Sequence, residues 1–534
     1  MPRGKKNAIV VMFDSMQHNY LGCYGNEWMK TPNLDRFARE GVLFENAYVE
    51  GLPTVPARRA MHTGRYTLPV SGWVALTLED TTIADLCWGL GIDTALVFDC
   101  PNYRLPKFGY TRGFDNVMFT HGSEGDDGYY YDDPLYHRDP KDYIEDHFIE
   151  TADEITGSKV VGPLMEEIST FLKAHQYWKS PDDRFVARTI HKAIRYLEEV
   201  DRTHPFFLWV DSFDPHEPWD PPSVYMDFPC PYDPDYKGKD QFLPMLGPVE
   251  GLYTEEELHH VRMLYAELIT LCDTYFGELM DAVRRLGLED DTLVMVVSDH
   301  GEPLGNGEHG HGIMRKVRPW PYEELVHGIM MMRGPGLPAG KRIKSFVQSV
   351  DVAPTICDWL GIGVQSFHQG VSLLPLARGE VDKVRDFAIA GYHKFSWSII
   401  TEDWSYIHWL KHGESDGAYM SGIYIEGTKA TGADIPGIKK NALYGDNSAM
   451  QQKKTESSTP INDAMRRHQE AASLDGEAQW TCTPGSIAEV PDVDELYNRH
   501  TDKFQLHNVA SEYPDIAKKL LIQLTEYINE LKIS

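Results

Sequence analysis

Ala8-Ile9-Val10-Val11-Met12-Phe13-Asp14 is a short apolar run that ends abruptly in an acid, and this pattern indicates the fold class. Similar runs recur at Thr94 to Phe98 before Asp99, Phe206 to Val210 before Asp211, and Leu293 to Val297 before Ser298-Asp299-His300. Helical patterns separate them, at Asn33 to Glu40, Asp183 to Val200 and Glu255 to Leu286. Together they predict an α/β fold, a mainly parallel sheet of buried strands sandwiched by helices.

The polar residues that follow two of these strands predict a shared site. Ligand sites in open α/β sheets lie beyond the carboxyl ends of the strands, so Asp14, Asp299 and His300 are expected at one edge. With an alcohol oxygen, two aspartates and a histidine suit one divalent metal ion such as Mn²⁺, Ca²⁺, Mg²⁺ or Zn²⁺. Acids at strand ends also cap helices, and this pattern alone leaves both interpretations open.

The chain of 534 residues is long enough for a large domain and a smaller one. We predict an N-terminal α/β domain over residues 1–380 and a C-terminal α+β domain over residues 381–534. Short antiparallel strands are expected at Phe387 to Ala390, Trp397 to Thr401 and Tyr406 to Lys411, with a closing amphipathic helix at Tyr513 to Leu531. A polar insertion at about 413–492 shows weak periodicity.

The composition narrows the classes of partner. A net charge of −30 repels polyanions, so nucleic acid is not expected as a partner. No apolar run approaches the length of a membrane span and no secretion signal is recognisable, so we expect no membrane association and a cytoplasmic location. Seven cysteines without a CxxC pair indicate reduced thiols. The sequence does not determine the oligomeric state, and a homo-oligomer is one of the alternatives.

A second motif, Thr54-Val55-Pro56-Ala57-Arg58, places a hydroxyl just before a proline that can open a helix, with Gly64 near the helix end. A hydroxyl at a helix N-terminus lies where backbone N–H groups and the helix dipole favour an anion. Arg58, one turn on, can pair with an anion's oxygen. The alternative interpretation is that Thr54 only caps the helix.

These segments strongly resemble sulfatases of the alkaline phosphatase superfamily. The resemblance rests on Asn7 to Gly25, Thr31 to Tyr48, the Thr54 motif, Pro215-His216-Glu217-Pro218, Ser298-Asp299-His300-Gly301, His311-Gly312 with Lys316, Tyr322-Glu323-Glu324, Arg333-Gly334-Pro335-Gly336, Val350 to Thr355, Glu495-Leu496-Tyr497-Asn498 and Asn508-Val509-Ala510. The blocks follow the family's order over most of the chain. The resemblance therefore implies the alkaline phosphatase-like fold and hydrolysis of a small anionic ester.

Carried over position by position, the resemblance also implies roles for individual residues. The metal ligands would be Asp14, Thr54, Asp299 and His300. The nonbridging oxygens of the ester would contact Arg58 and Lys316, and the leaving group would be protonated or positioned by His216 and His311. Each assignment has an alternative. His216 and His311 also fit structural roles, and Lys316 fits an exposed surface position. His309 is a second residue that could occupy the family position assigned to His311.

Four departures from the family pattern bear on the reaction. Thr54 stands where sulfatases carry the Cys or Ser that is oxidised to formylglycine, and a threonine cannot give that aldehyde. Asp14-Ser15 replaces two consecutive acids, and Asp299-His300 replaces Asp-Asn. The usual Gly-Lys-Trp-His segment is missing at Phe98 to Arg104. In style, these motifs resemble the branch containing phosphonate monoester hydrolases, phosphodiesterases and choline sulfatases.

Three interpretations of function follow. Hydrolysis of a phosphate or phosphonate ester, mono- or diester, through direct attack by Thr54 is favoured. A sulfatase that works with Thr54 and a metal-binding protein of the same fold without turnover are the alternatives. A further interpretation is that residue 54 is an engineered replacement. The sequence does not identify the leaving group of the substrate, because the pocket for that group would be formed by residues 120–200 and by the insertion, which lie outside the blocks that resemble the family.

Overall fold

The computed structural model describes residues 6–104, 108–122, 138–157, 159–305, 310–410 and 491–533. The predicted insertion, apart from its last two residues, and the alternative histidine at 309 lie outside the described residues. None of the described helices combines the length and the apolar character that a membrane span requires. The cysteines of the described segments are free thiols.

The strands form one large sheet and two smaller ones. In chain order they are β1 (Asn7–Phe13), β2 (Val42–Tyr48), β3 (Asp93–Phe98), β4 (Asn116–Phe119), β5 (Phe206–Ser212), β6 (Gly247–Pro248), β7 (Thr292–Ser298), β8 (Leu304–Gly305), β9 (Ile313–Met314), β10 (Met330–Arg333), β11 (Lys341–Gln348), β12 (Ala388–Tyr392), β13 (Ser396–Ile400), β14 (Trp404–Trp409) and β15 (Glu495–Asn498). The large sheet has the order β11-β2-β10-β7-β1-β5-β3-β4. Only β10 runs antiparallel to its neighbours in this sheet, so the prediction of a mainly parallel sheet is confirmed.

The helices of the described residues flank this sheet on both faces. In chain order they are α1 (Pro32–Glu40), α2 (Thr54–Thr63), α3 (Ile83–Cys87), α4 (Pro101–Arg104), α5 (Asp146–Thr156), α6 (Val161–His175), α7 (Phe185–Glu199), α8 (Pro222–Met226), α9 (Glu255–Arg285), α10 (Glu323–Val326), α11 (Val352–Leu360), α12 (Leu374–Arg378) and α13 (Pro514–Ile533). The three long helices predicted from periodicity are α1, α7 and α9, with ends within two residues of those expected.

The central strand β1 explains why its sequence is apolar throughout. Alternate side chains point to opposite faces of a strand. Ile9 and Val11 join a core with residues of α1, α7 and α9, whereas Val10 and Met12 join a second core with residues of α2 and α11. Since both faces are covered by helices, every position of β1 is buried.

The register of the strands gathers the functional positions at one edge. Phe13, the last residue of β1, pairs with Ser212 at the end of β5 and with Ser298 at the end of β7. The residues that follow β1 and β7 therefore leave the sheet side by side. These are Asp14 and the Asp299-His300 pair.

A second sheet follows α12, and it is antiparallel throughout, with β12 to β15 in chain order. Leu524 and Ile528 of α13 pack in one core with Ile399 of this sheet. Gln348, at the end of β11, donates from Nε2 to the Ile389 carbonyl at 2.6 Å and so joins the two sheets. The predicted small C-terminal α+β domain is confirmed, and its boundary at residue 380 stays a prediction.

Candidate active site

Three buried side chains form a group that could hold a metal ion at the carboxyl edge of the large sheet. Potential ligand atoms of Asp14, Asp299 and His300 all lie within 4.8 Å of one another. All three residues are 0% exposed. The structure therefore brings together the acids and the histidine that the strand ends predict.

The chemistry of these side chains fits a divalent ion. His300 places Nδ1 2.7 Å from the Gly301 carbonyl, so Nδ1 donates and Nε2 carries the lone pair. That Nε2 lies 3.5 Å from Asp299 Oδ2 and 3.9 Å from Asp14 Oδ1. Burial lowers the pKa of His300 to about 4, which keeps the ring neutral at neutral pH. Asp14 and Asp299 each supply a buried carboxylate oxygen near Nε2, so the three side chains offer a divalent ion two anionic oxygens and one neutral nitrogen.

Thr54 lies beside this group, at the first residue of α2. Its Oγ1 is 3.3 Å from His300 Nε2, and the residue is 1% exposed. The N-cap residue is Pro53, and the helix start has no side-chain capping bond, so the interpretation of Thr54 as a helix cap is wrong. The hydroxyl is instead directed to the metal-ligand group, with the N-terminal end of a ten-residue helix behind it.

Arg58, one turn along α2, is held among the site's carboxylates. Its guanidinium bonds Asp211 through Nη2 at 2.8 Å and through Nε at 3.1 Å. Nη1 lies 3.0 Å from Asp14 Oδ2 and also donates to Asp299. Arg58 is fully buried, its hydrogen bonds and ion pairs are with acids of the protein, and its guanidinium lies 5.5 Å from the centre of the Tyr103 ring, so its expected contact with an ester oxygen stays a prediction.

Lys316 lies in a second ionic group beside the first. Its Nζ is 2.9 Å from Glu217 Oε2 and 3.3 Å from Glu302 Oε2. Burial would raise the pKa of Glu217, but Arg315, His216 and Lys316 together hold it well below its ordinary value. Burial raises the pKa of Glu302 to about 8 despite the neighbouring ammonium group. The Lys316 side chain is only 9% exposed and is paired with acids, so the surface interpretation is wrong.

His216 contacts the same group from the turn after β5. Its ring stacks on Phe213 at 3.9 Å, and Nδ1 lies 2.6 Å from the Glu217 carbonyl. Burial lowers the pKa of His216 to about 4. The ring is therefore neutral at neutral pH, and a donating Nδ1 leaves Nε2 as an acceptor. In this state His216 can orient a hydroxyl group or accept its proton rather than deliver one.

His311 lies in different surroundings. Its ring stacks on Tyr322 at 3.7 Å, Nε2 is 3.1 Å from the Gln505 carbonyl, and Nδ1 is 3.4 Å from each carboxylate oxygen of Glu324. These contacts tie His311 to the C-terminal segment and not to the metal-ligand group. Its proposed action on the leaving group has no support from the described contacts and stays a prediction.

Three acids of the site received no role from the sequence. Asp211 pairs with Arg58, and Glu217 and Glu302 pair with Lys316. The end of β5 gave a signal for Asp211 and one family motif contains Glu217, whereas Glu302 directly follows the motif that ends at Gly301. Their pairing with particular cations could not be read from the chain, because the partners are distant in sequence.

Comparison with known proteins identifies the family of the chain. The sequence model of the sulfatase family matches residues 6–362. The chain is 26% identical over 449 residues to an arylsulfatase of Clostridium perfringens, covering 77% of this chain and 87% of that protein. It is 27% identical over 438 residues to the multifunctional alkaline phosphatase superfamily protein PehA of Trinickia caryophylli, covering 70% and 78%.

Among solved structures, the fold is similar to that of the phosphonate monoester hydrolase of Agrobacterium radiobacter. The TM-score is 0.62 at 19% identity, and the alignment covers 99% of this chain and 96% of that one. The match extends over both sheets, so the alkaline phosphatase-like fold expected from the motifs is confirmed.

Proposed function

The chain belongs to the sulfatase family of hydrolases, and on that premise we propose that it hydrolyses a singly charged phosphoryl ester, with Thr54 as the nucleophile. A phosphate diester and a phosphonate monoester are the substrates that fit this description. The observation that carries the proposal is the position of the Thr54 hydroxyl, buried at a helix N-terminus and 3.3 Å from His300 Nε2.

The identity of residue 54 sets the type of attack. Oxidation of a secondary alcohol cannot yield the aldehyde from which the formylglycine hydrate forms. Thr54 therefore has to attack through its own hydroxyl oxygen. A divalent ion held by Asp14, Asp299 and His300 would lower the pKa of that hydroxyl and offset the charge of the ester.

The electrostatics of the site favour a substrate with one negative charge. Arg58 is shared among three carboxylates, and Lys316 is paired with the carboxylate of Glu217, while Glu302 beside it keeps its proton at neutral pH. Little cationic charge is left for the second charge of a phosphate monoester dianion. The N-terminal amides of α2 add partial positive charge without a counter-acid, and they lie beside Thr54.

The reaction then has two displacements. The Thr54 hydroxyl gives its proton to solvent and its oxygen bonds to phosphorus as the bond to the leaving alcohol breaks, and the alcohol departs with a proton from solvent. Water next attacks the phosphorus of phosphorylated Thr54 and gives a proton to a base, while the bond between phosphorus and Oγ1 breaks and Oγ1 takes a proton from solvent. His216 accepts hydrogen bonds through Nε2, so it is suited to orient the entering water or to take its proton.

Sulfate ester hydrolysis is the second candidate. Its support is the arylsulfatase among the relatives, and a sulfate monoester also carries a single charge. The two candidates differ in the covalent intermediate on residue 54. A sulfated formylglycine hydrate releases sulfate through its second hydroxyl group on the same carbon, and a sulfated threonine has no such hydroxyl. Slow release of sulfate from Thr54 would then limit turnover.

A substrate panel separates the two candidates. Aryl esters of sulfate, phosphate, a phosphate diester and a phosphonate monoester would be tested with Mn²⁺, Ca²⁺, Mg²⁺ or Zn²⁺. We expect turnover of the diester or the phosphonate ester that chelator removes and that Thr54→Ala lowers by at least about 10³-fold. The matched control is Thr63→Ala, at the other end of α2, where Thr63 Oγ1 bonds the Arg59 carbonyl.

Turnover of the sulfate ester alone would contradict phosphoryl ester hydrolysis and support the second candidate, sulfate ester hydrolysis. Turnover of either phosphoryl ester that survives Thr54→Ala would contradict the assigned nucleophile. Metal-dependent anion binding without turnover of any ester would show that the chain is a binding protein with this fold and not an enzyme.

A further inference from the structure

The hydroxyl of Tyr265 bridges the turn that carries Asp14. Tyr265 lies on α9, and its hydroxyl donates to the Ser15 carbonyl at 2.6 Å. The same oxygen accepts a hydrogen bond from the Gln17 backbone N–H at 2.9 Å. The side chain is 0% exposed, and burial raises the pKa of the hydroxyl well above its ordinary value, so its proton remains available for donation.

The turn needs such support because Ser15 has an unfavourable backbone conformation. Its φ is 60°, in the left-handed region that non-glycine residues rarely occupy. In this conformation the Ser15 N–H donates to Asp299 Oδ1 at 3.0 Å, and the Ser15 hydroxyl donates to Asp14 Oδ1 at 2.9 Å. Ser15 therefore fixes one carboxylate oxygen of each aspartate in the metal-ligand group.

We propose that Tyr265 is a positioning residue for the metal site, holding the turn in the conformation in which Ser15 orients Asp14 and Asp299 beside His300. The inference rests on the proposed metal site. Tyr265 makes no contact with the ligand atoms themselves and acts through Ser15.

Loss of this one hydroxyl has a defined physical consequence. The Ser15 carbonyl and the Gln17 amide would be buried without a partner. The turn can relieve this by leaving the left-handed conformation, and the Ser15 N–H would then no longer face Asp299. The side chain of Gln17 still bonds the Glu302 carbonyl at 2.6 Å, so the segment stays attached to the strand end beyond His300. The expected damage is to metal affinity and not to the fold.

The test compares two Tyr→Phe variants on the same helix. Tyr265→Phe removes the bridging hydroxyl, and Tyr275→Phe removes a hydroxyl that bonds Asp182 Oδ1 at 2.8 Å. Metal-stripped proteins would be titrated with Mn²⁺, and separately with Ca²⁺, by calorimetry. We expect Tyr265→Phe to bind about 10- to 100-fold more weakly, the usual effect of removing an outer-shell partner, with the affinity of Tyr275→Phe unchanged.

A rescue variant keeps the inference testable if Tyr265→Phe folds poorly. Glycine adopts the left-handed conformation freely, so adding Ser15→Gly to Tyr265→Phe should restore folding and part of the lost affinity. Equal metal affinity of Tyr265→Phe and the native protein would overturn the role of Tyr265. Absence of binding by the native protein would instead overturn the metal site, and the two failures are distinguishable.

Discussion

At the residue scale, Arg58 and its acids show what a buried ionic group requires. Asp14, Asp211 and Asp299 approach one guanidinium, and all four side chains are 0% exposed. Removing one member of a buried ionic group leaves an uncompensated charge. The sequence motif identified Arg58, but Asp211 could be assigned to it only after the sheet order placed β5 next to β1.

Glu50 is a second buried acid, four residues before Thr54. Its carboxylate accepts hydrogen bonds from the Thr67 N–H at 2.8 Å, the Thr67 hydroxyl at 2.6 Å and the Leu68 N–H at 2.9 Å. These bonds fasten the segment that leads into α2 to the loop that follows it. Burial raises the pKa of Glu50 to about 7.

A pH-dependent stability difference follows for Glu50→Gln. Because the pKa is raised in the folded state, the folded protein keeps a proton between pH 4.5 and about 7 that the unfolded chain has lost. The stability of the native protein therefore falls, relative to the non-titrating variant, as pH rises through this window. We expect the destabilisation by Glu50→Gln to shrink by roughly 1–3 kcal/mol from about pH 5 to about pH 8.

Urea unfolding of both proteins across this pH range measures the difference. Thr67→Val, which removes one of the donors to Glu50 and leaves the acid in place, serves as a control that keeps the titrating group. A destabilisation by Glu50→Gln that stays constant or grows with pH would show that Glu50 is ionised throughout.

At the element scale, α2 determines where the nucleophile lies. The helix begins at Thr54 and ends against Gly64, whose φ of 67° is left-handed. A Cβ on Gly64 would lie 2.9 Å from His368 Cδ2 and 3.1 Å from Pro354 Cδ. The sequence predicted both ends of this helix, because the Thr-x-Pro pattern and the glycine are local signals.

Gly64→Ala tests this helix against a matched glycine. Gly157 ends α5 with a φ of 68°, but a Cβ there would meet nothing within 4 Å. We expect Gly157→Ala to cost about 1 kcal/mol from backbone conformation alone. Gly64→Ala should cost roughly 1–3 kcal/mol more, because the methyl group also crowds two side chains. Denaturant unfolding gives both values, and equal costs would contradict the close packing at the end of α2.

At the scale of the whole molecule, patterns within single elements were predictable and long-range pairing was not. The apolar runs gave the central parallel strands, and short strands after residue 380 gave the second sheet. Nothing in the run Met330–Arg333 shows that β10 lies antiparallel between β2 and β7. His311 likewise matches a family position, whereas its contact with the Gln505 carbonyl depends on how the C-terminal segment folds back.

The site itself is a property of the whole chain. Its residues come from the turn after β1, from α2, from β5 and from the segments after β5 and β7, and the sheet register brings them to one edge. Such a site is as stable as the sheet that carries it. Sequence could name the candidate ligands, but the ionic partners of Lys316 required the three-dimensional structure.

The role of Thr54 as the nucleophile is tested by the mass of the peptide that contains it, after rapid acid quenching of a reaction with an aryl phosphonate or phosphate diester and a divalent ion. We predict a transient mass increase equal to the transferred phosphoryl group, located on Thr54 and missing from Thr54→Ala. Full turnover with an unmodified Thr54 peptide at every quench time, together with inversion of configuration at phosphorus, would contradict Thr54 as the nucleophile.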